Sequence, residues 1–249
     1  MLVLAIVAGA CDEDPPPEAT PPDAASPETT ETTPAVPRVI TADRCPNETD
    51  APAREPVGGR VPGDVDGDGA QDDVFLVRDP AAEAGCRLLL VADAGELVYV
   101  VPAGDEGVES SLQMPRINSL VHVDGRDGLE ILVDLEAGAS TQFLAMYTVT
   151  DGTLQRVRIE GAGPVGDLLP YGGSVGHVEG TDCGSRPGTV VVGLATPAGR
   201  MYEFRTTTYE MEGASLREVP EEEPPRILHP SELGDVAQFS TSPFGTCHG

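Results

Sequence analysis

Apolar residues in this chain gather in short runs set between acidic and glycine-rich stretches. Val74-Phe75-Leu76-Val77, Ile131-Leu132-Val133 and Thr189-Val190-Val191-Val192 are the clearest. Runs rich in β-branched and aromatic residues, bounded by turn formers, predict strands. Residues 87–92, 96–101, 142–150, 153–159, 201–209 and 214–219 are strand-like too. Asp93-Ala94-Gly95, Asp151-Gly152 and Glu212-Gly213 separate successive runs. Asp-Gly between two such runs is a strong hairpin signal. The pattern predicts an all-β fold.

The same pattern recurs. Asp64-Val65-Asp66-Gly67 is echoed by His122-Val123-Asp124-Gly125 and by His177-Val178-Glu179-Gly180, at spacings of 58 and 55 residues. A Leu-x-x-Val pair follows in each copy, at Leu97/Val100, Leu154/Val157 and Leu216/Val219. Each unit reads as loop, strand, strand, turn, strand, and a last strand leading to the next loop. That is a four-stranded antiparallel meander of about 57 residues. The units are expected at about 62–120, 121–175 and 176–222. Residues 38–60 and a closing segment, 223–249, are expected to cover strand edges that would otherwise template aggregation.

The ends differ in composition. Residues 1–10 are apolar but too few to span a bilayer, which takes about 20 residues in a helix. They suit the apolar region of a secretory signal. Ala8-Gly9-Ala10-Cys11 resembles a bacterial lipobox, which implies lipidation of Cys11, with residues 1–11 as the signal. Residues 12–37 hold seven acids, eight prolines and no base. Such a segment cannot offset its ordering entropy by burial, and reads as an extended acidic tether for a folded domain at 38–249.

Charge narrows the function classes. The chain has 42 acids against 15 bases, all arginine, for a net charge of −27. Without the seven acids of the tether, 35 acids remain and the net is −20. This excludes nucleic acid and direct adsorption to anionic lipid, leaving a lipid anchor as the only membrane contact. Tryptophan is absent and aromatics are 4%, so stacking platforms are poorly supplied.

With Cys11 assigned to lipid, Cys45, Cys86, Cys183 and Cys247 remain, an even number in an exported chain. Four cysteines allow three pairings. Cys45–Cys86 and Cys183–Cys247 are favoured because each would staple a terminal segment to a repeat. Zinc is the rival, but no C-x-x-C is present.

The densest chemistry lies in Asp64-Val65-Asp66-Gly67-Asp68-Gly69-Ala70-Gln71-Asp72. Carboxylates at loop positions 1, 3, 5 and 9, with Gly69 at position 6, follow the first part of an EF-hand calcium loop. Calcium takes about six to eight hard oxygens, which alternate residues can supply only if the chain curls tightly. Position 12 is Phe75 rather than glutamate, and a strand-like run follows instead of a helix. The loop therefore sits in a β context. An acidic D-x-D-G-D-G loop feeding a strand, repeated every 55–60 residues, resembles the FG-GAP/VCBS-type repeats of integrin-like β-propellers. The resemblance covers about residues 60–220. It implies blade-like units, an incomplete or compact propeller-like assembly, and Ca²⁺ held by Asp64, Asp66, Asp68, Asp72 and the Ala70 carbonyl. In the second repeat it leaves His122, Asp124, Asp127 and Glu130, and in the third His177, Glu179 and Asp182. Those two loops are expected to bind no metal, and their histidines to carry no function. Arg126 is expected to pair with Asp127, and Asn47-Glu48-Thr49 matches a glycosylation sequon.

No catalytic motif stands out. Tyr171-Gly172-Gly173-Ser174-Val175-Gly176 lacks nucleophile-elbow spacing. HExxH and Walker loops are missing. The expected function is an outer-face, lipid-anchored or secreted β-repeat binding or scaffold module, with a calcium-braced loop and an envelope or extracellular protein or glycan as partner. The alternative is an extracytoplasmic hydrolase with a loop-built site. A pocket of convergent, desolvated carboxylates or histidine would favour the hydrolase; a flat acidic face would favour the module.

Overall fold

The computed structural model describes residues 38–41, 48–78, 88–103, 115–138, 140–162, 166–174, 176–220, 224–239 and 242–247. Cys11, the tether, Cys45, Cys86 and Asn47 lie outside these residues.

The chain is all-β. Its strands are β1 (Arg38–Thr41), β2 (Pro56–Gly63), β3 (Asp72–Arg78), β4 (Leu88–Ala94), β5 (Leu97–Pro102), β6 (Arg116–Val121), β7 (Glu130–Ala137) and β8 (Thr141–Thr150). They continue as β9 (Thr153–Arg156), β10 (Arg158–Ile159), β11 (Leu169–Ser174), β12 (His177–Cys183), β13 (Thr189–Ala198), β14 (Met201–Glu212), β15 (Ser215–Val219) and β16 (Arg226–Leu228). Short 3₁₀ turns occupy Glu48–Ala53, Pro230–Asp235 and Ala237–Phe239.

Antiparallel pairing links β2-β3-β4-β5, then β6-β7-β8-β9, then β12-β13-β14-β15. The unit boundary differs from expectation. The strand before each loop pairs with the strand after it, so the loop is a hairpin connection inside the unit. β6, expected to close the first unit, therefore opens the second by pairing with β7.

Pairing is also less local than expected. β1 runs parallel to β5, and β10 runs parallel to β15. Residues 153–159 form two strands rather than one. The break falls at Val157, which is buried and donates its N–H to the Met146 carbonyl at 2.8 Å. β11 bridges β8 and β12, joining the second and third meanders into one sheet.

Unbroken apolar runs have a direct cause here: several strands are covered on both faces. In the first meander Val74, Leu76, Leu90, Ala92, Tyr99 and Val101 form one cluster with Ile131, Val133, Ala145 and Tyr147 of the second. Phe75, Val77, Leu89, Val91, Val98 and Val100 cluster on the opposite face with Ala51 of the first 3₁₀ turn. The second meander repeats the arrangement. Leu132, Leu144 and Met146 turn away from the first meander to meet Val190, Met211 and Leu216 of the third. Alternation along Leu144-Ala145-Met146-Tyr147 thus feeds two cores in turn.

The first part of the closing segment, with Leu228 and Phe239, covers the face of the third meander that carries Ala195 and Phe204, whereas Phe244 joins the core shared with the second meander. Phe239 packs edge-on against Phe204 with centroids 5.4 Å apart. A Cβ on Gly180 would stand 1.6 Å from the Gln238 carbonyl oxygen, so only glycine admits this approach. Cys183 and Cys247 form a disulfide that closes 64 residues. Beside it, buried Phe244 donates its N–H to Thr181 O at 3.0 Å.

Candidate functional site

The loops entering β3, β7 and β13 stand side by side at one end of the meanders. Leu129 of the second loop donates its N–H to Asp64 O of the first at 2.8 Å. Gly188 of the third donates to Val123 O of the second at 2.7 Å. Glycines make the close approach possible. A Cβ on Gly67, where φ is +79°, would come within 2.8 Å of the Asp127 backbone. A Cβ on Gly125 would come within 2.8 Å of Pro187.

In the first loop, one carboxylate oxygen each from Asp64, Asp66 and Asp72 lie within 4.8 Å of one another. Backbone bonds hold them there. Asp64 accepts the N–H groups of Gly67 at 2.7 Å and Gly69 at 2.9 Å. Asp72 is only 2% exposed and accepts Val65 N–H at 2.7 Å. Burial pushes the Asp72 carboxyl above its ordinary value; the Val65 N–H pulls it back, and the charges of Asp66 and Asp64 push it up. Tyr99, buried on β5, points its hydroxyl at Asp66 Oδ2 from 3.4 Å. Burial, then the Asp66 charge, raise the Tyr99 phenol. Strand patterning places Tyr99 within the run 96–101 and gives no sign of this polar role.

Asp68, an expected ligand, stands apart from the group. Its Oδ1 caps the Ala70 N–H at 2.7 Å on the exposed tip. The first loop thus gathers three of its four expected carboxylates.

The second loop repeats the plan with different donors. Val123 N–H bonds Glu130 Oε2 at 2.7 Å, as Val65 N–H bonds Asp72 in the first. His122, Asp124 and Glu130 each offer one atom to a group within 4.8 Å. Glu130 is 2% exposed and also accepts the Thr148 hydroxyl at 3.3 Å. Burial pushes its carboxyl up to about 7, with Val123 N–H opposing and the Asp124 charge adding. Arg126 pairs with Asp124 at 3.1 Å rather than with Asp127, because the Asx-type bond from Arg126 N–H to Asp124 Oδ1 folds the side chains together.

The third loop is not where the tetrapeptide echo put it. His177-Val178-Glu179-Gly180 lies within β12 and pairs with β11 and β13. The connection into β13 is residues 184–188. His177 Nε2 lies 3.4 Å from Glu179 and 3.1 Å from the Thr141 hydroxyl. Asp182, 1% exposed, accepts Cys183 N–H and Thr246 N–H, so it anchors the closing segment.

Two clefts open between the loops. One of about 480 Å³ is lined by Asp64, Asp68, His122, Asp127 and the flanking glycines. The other, about 340 Å³, lies between the second and third loops and borders the disulfide and Arg186. His122 lines both. A separate polar network joins β6, β7 and β11, where Asp134 receives Arg116 at 2.7 Å, Asn118 at 3.1 Å and the Tyr171 hydroxyl at 2.7 Å. Burial, then Asp134, push the Tyr171 phenol up to about 12, so it is a fixed donor bracing these strands.

No protein family, curated protein or solved structure matches the chain. Among the described residues no helix is long and apolar enough to cross a membrane.

Proposed function

We propose that this chain is an extracytoplasmic binding or scaffold module, tethered through a lipid on Cys11 and braced by Ca²⁺ in its first loop. The observation that carries the reading is the oxygen-only group of Asp64, Asp66 and Asp72, within 4.8 Å, in a loop whose neighbour packs directly against it. Three carboxylates at that separation repel one another, and a hard divalent cation relieves the repulsion. In this reading the meanders are FG-GAP/VCBS-like blades in a compact propeller-like stack, and the cation stiffens the end they present. The acidic, proline-rich composition of residues 12–37 supports their reading as a tether that spaces the folded domain from the membrane. The partner is an envelope or extracellular protein or glycan. Calorimetric titration of the mature chain with Ca²⁺ tests the metal: one site lost in Asp66→Asn supports the reading, and no heat at millimolar Ca²⁺ refutes it. Cross-linking on intact cells with and without chelator then tests whether partner capture depends on the same loop.

The hydrolase alternative has one observation in its favour, the cleft that brings His122 together with Asp64, Asp68 and Asp127. The rest of its lining is Gly67, Gly69, Gly128 and Leu129, which offer no side-chain nucleophile. Hydrolysis of a model ester, phosphate or glycoside that is lost in His122→Ala would move the assignment to this reading.

A further inference from the structure

The second loop keeps the backbone plan of the first and changes the donor chemistry. We propose that His122, Asp124 and Glu130 form a second metal site, selective for a zinc-like first-row transition cation over calcium. This goes beyond the calcium reading of the first loop and does not depend on it.

One nitrogen and two carboxylate oxygens converge within 4.8 Å. Imidazole nitrogen suits zinc, nickel and copper, whereas calcium is selected by larger sets of oxygens alone. The first loop has aspartate where the second has His122, so two neighbouring loops of one backbone plan differ in the softness of their donors. His122 Nδ1 is shielded from solvent and has no hydrogen-bond partner among the described residues. Buried polar atoms are ordinarily satisfied, so an unpaired nitrogen on a ring that also supplies one atom to the His122–Asp124–Glu130 group points to a ligand.

The supporting groups are in place. Glu130 is fixed by Val123 N–H at 2.7 Å and the Thr148 hydroxyl at 3.3 Å, the kind of outer bonding that orients a metal-binding carboxylate. The Asp124 side chain is 7% exposed and pairs with Arg126, whose own side chain is 55% exposed. Arg126 is thus the competitor for the site, and it can swing into solvent when a cation arrives. His122 borders both clefts, so a cation has a route from solvent up to its ring. Three protein donors leave further positions for water or a ligand group.

The test is Zn²⁺ titration of the mature chain in buffer containing Ca²⁺, followed by calorimetry and by long-range ¹H–¹⁵N spectra of the histidine rings. The chain has histidines only at 122, 177, 229 and 248, so each ring signal can be assigned. We expect one Zn²⁺ per chain and a shift of the His122 ring. Affinity should fall at least tenfold in His122→Ala, hold in His177→Ala and in Asp66→Asn, and rise severalfold in Arg126→Gln. The ring spectra of the unsubstituted chain decide the matter even if His122→Ala fails to fold. No binding at millimolar Zn²⁺, or a shift confined to His177, His229 or His248, would overturn the proposal. Loss of Ca²⁺ binding alone, with the Zn²⁺ site intact, would count against the first-loop reading and leave this one standing.

Discussion

Asp66→Asn is the perturbation that most directly probes the first loop. The carboxylate oxygens of Asp64, Asp66 and Asp72 lie within 4.8 Å of one another. Each such pair repels by about 1 kcal/mol in a water-like dielectric and by about 4 kcal/mol in a partly protein one, at roughly 4 Å. A bound cation turns that repulsion into attraction. Extracellular calcium modules bind with Kd of about 10⁻⁴ to 10⁻³ M. At about 100-fold excess over Kd, mass action stabilises the folded state by about 2.7 kcal/mol. For a domain of about 150–250 residues each kcal/mol moves Tm by about 2–4 °C, so saturating Ca²⁺ should raise Tm by about 5–11 °C.

Differential scanning calorimetry in 10 mM Ca²⁺ against chelator, a condition of about 100-fold excess for the tighter Kd class, measures this. Asp66→Asn should abolish most of the rise and, with one repelling charge gone, raise Tm in chelator. Asp68→Asn should keep most of it, because Asp68 stands outside the group and caps Ala70 N–H. Tyr99→Phe should fall between, since the Tyr99 hydroxyl orients Asp66. An equal rise in Asp66→Asn and the unsubstituted chain would refute the reasoning, as would equal losses in Asp66→Asn and Asp68→Asn.

Gly67→Ala and Gly69→Ala both force alanine to positive φ, at a cost of about 1–2 kcal/mol each. Only Gly67→Ala also drives a Cβ into Asp127, so its loss of stability in urea should be larger by about 1–3 kcal/mol. Replacing Cys183 and Cys247 by serine opens the loop of 64 residues, which is worth about 4 kcal/mol in the chain-entropy model. Hydrogen exchange should then rise first at residues 237–247, around Phe239 and Phe244. Cys11→Ser should release the chain from the membrane fraction or leave it unprocessed, and mass spectrometry of the unsubstituted chain should find lipid on Cys11.

Strand positions were legible because their signal is local. Val74-Phe75-Leu76-Val77 can do little but form a strand covered on both faces, and Asp151-Gly152 can do little but turn between β8 and β9. The first loop was legible for the same reason, since Asp64, Asp66 and Asp72 are brought together by bonds to nearby backbone. What the sequence hid is set by pairing across distance. The third echo, His177-Val178-Glu179-Gly180, copies the residue types of a loop. Its backbone instead finds partners in β11 on one side and β13 on the other, and a paired strand wins over a resemblance of four residues. The parallel additions of β1 to β5 and β10 to β15 depend on segments far apart in sequence and leave no local mark. In the sequence Glu130 is one residue left from a degenerate ligand set. Its importance follows from Thr148 and Val123 closing around it, and Thr148 enters only through the β7–β8 pairing that places it beside Glu130.

The row of loops separates two jobs that a single acidic loop would have to combine. Stacking is done by backbone and glycine: Leu129 N–H to Asp64 O, Gly188 N–H to Val123 O, and the Gly67 and Gly125 contacts that no side chain could replace. None of these uses a carboxylate or an imidazole. The side chains at the first and ninth positions can therefore change donor type from loop to loop without unseating the row. They do, from Asp64 and Asp72 to His122 and Glu130, while the third position is aspartate in both loops, at Asp66 and Asp124. A cation bound as proposed in either group would act on a loop already held by its neighbour, and its effect on the adjacent meander would pass through the Leu129–Asp64 bond and the Gly67 contact. It follows that Gly67→Ala should weaken any coupling between Ca²⁺ in the first loop and Zn²⁺ in the second while leaving every metal donor in place. Titrating each metal in the presence and absence of the other measures that coupling. A coupling of the same size in Gly67→Ala and the unsubstituted chain would show that the two loops communicate by charge alone.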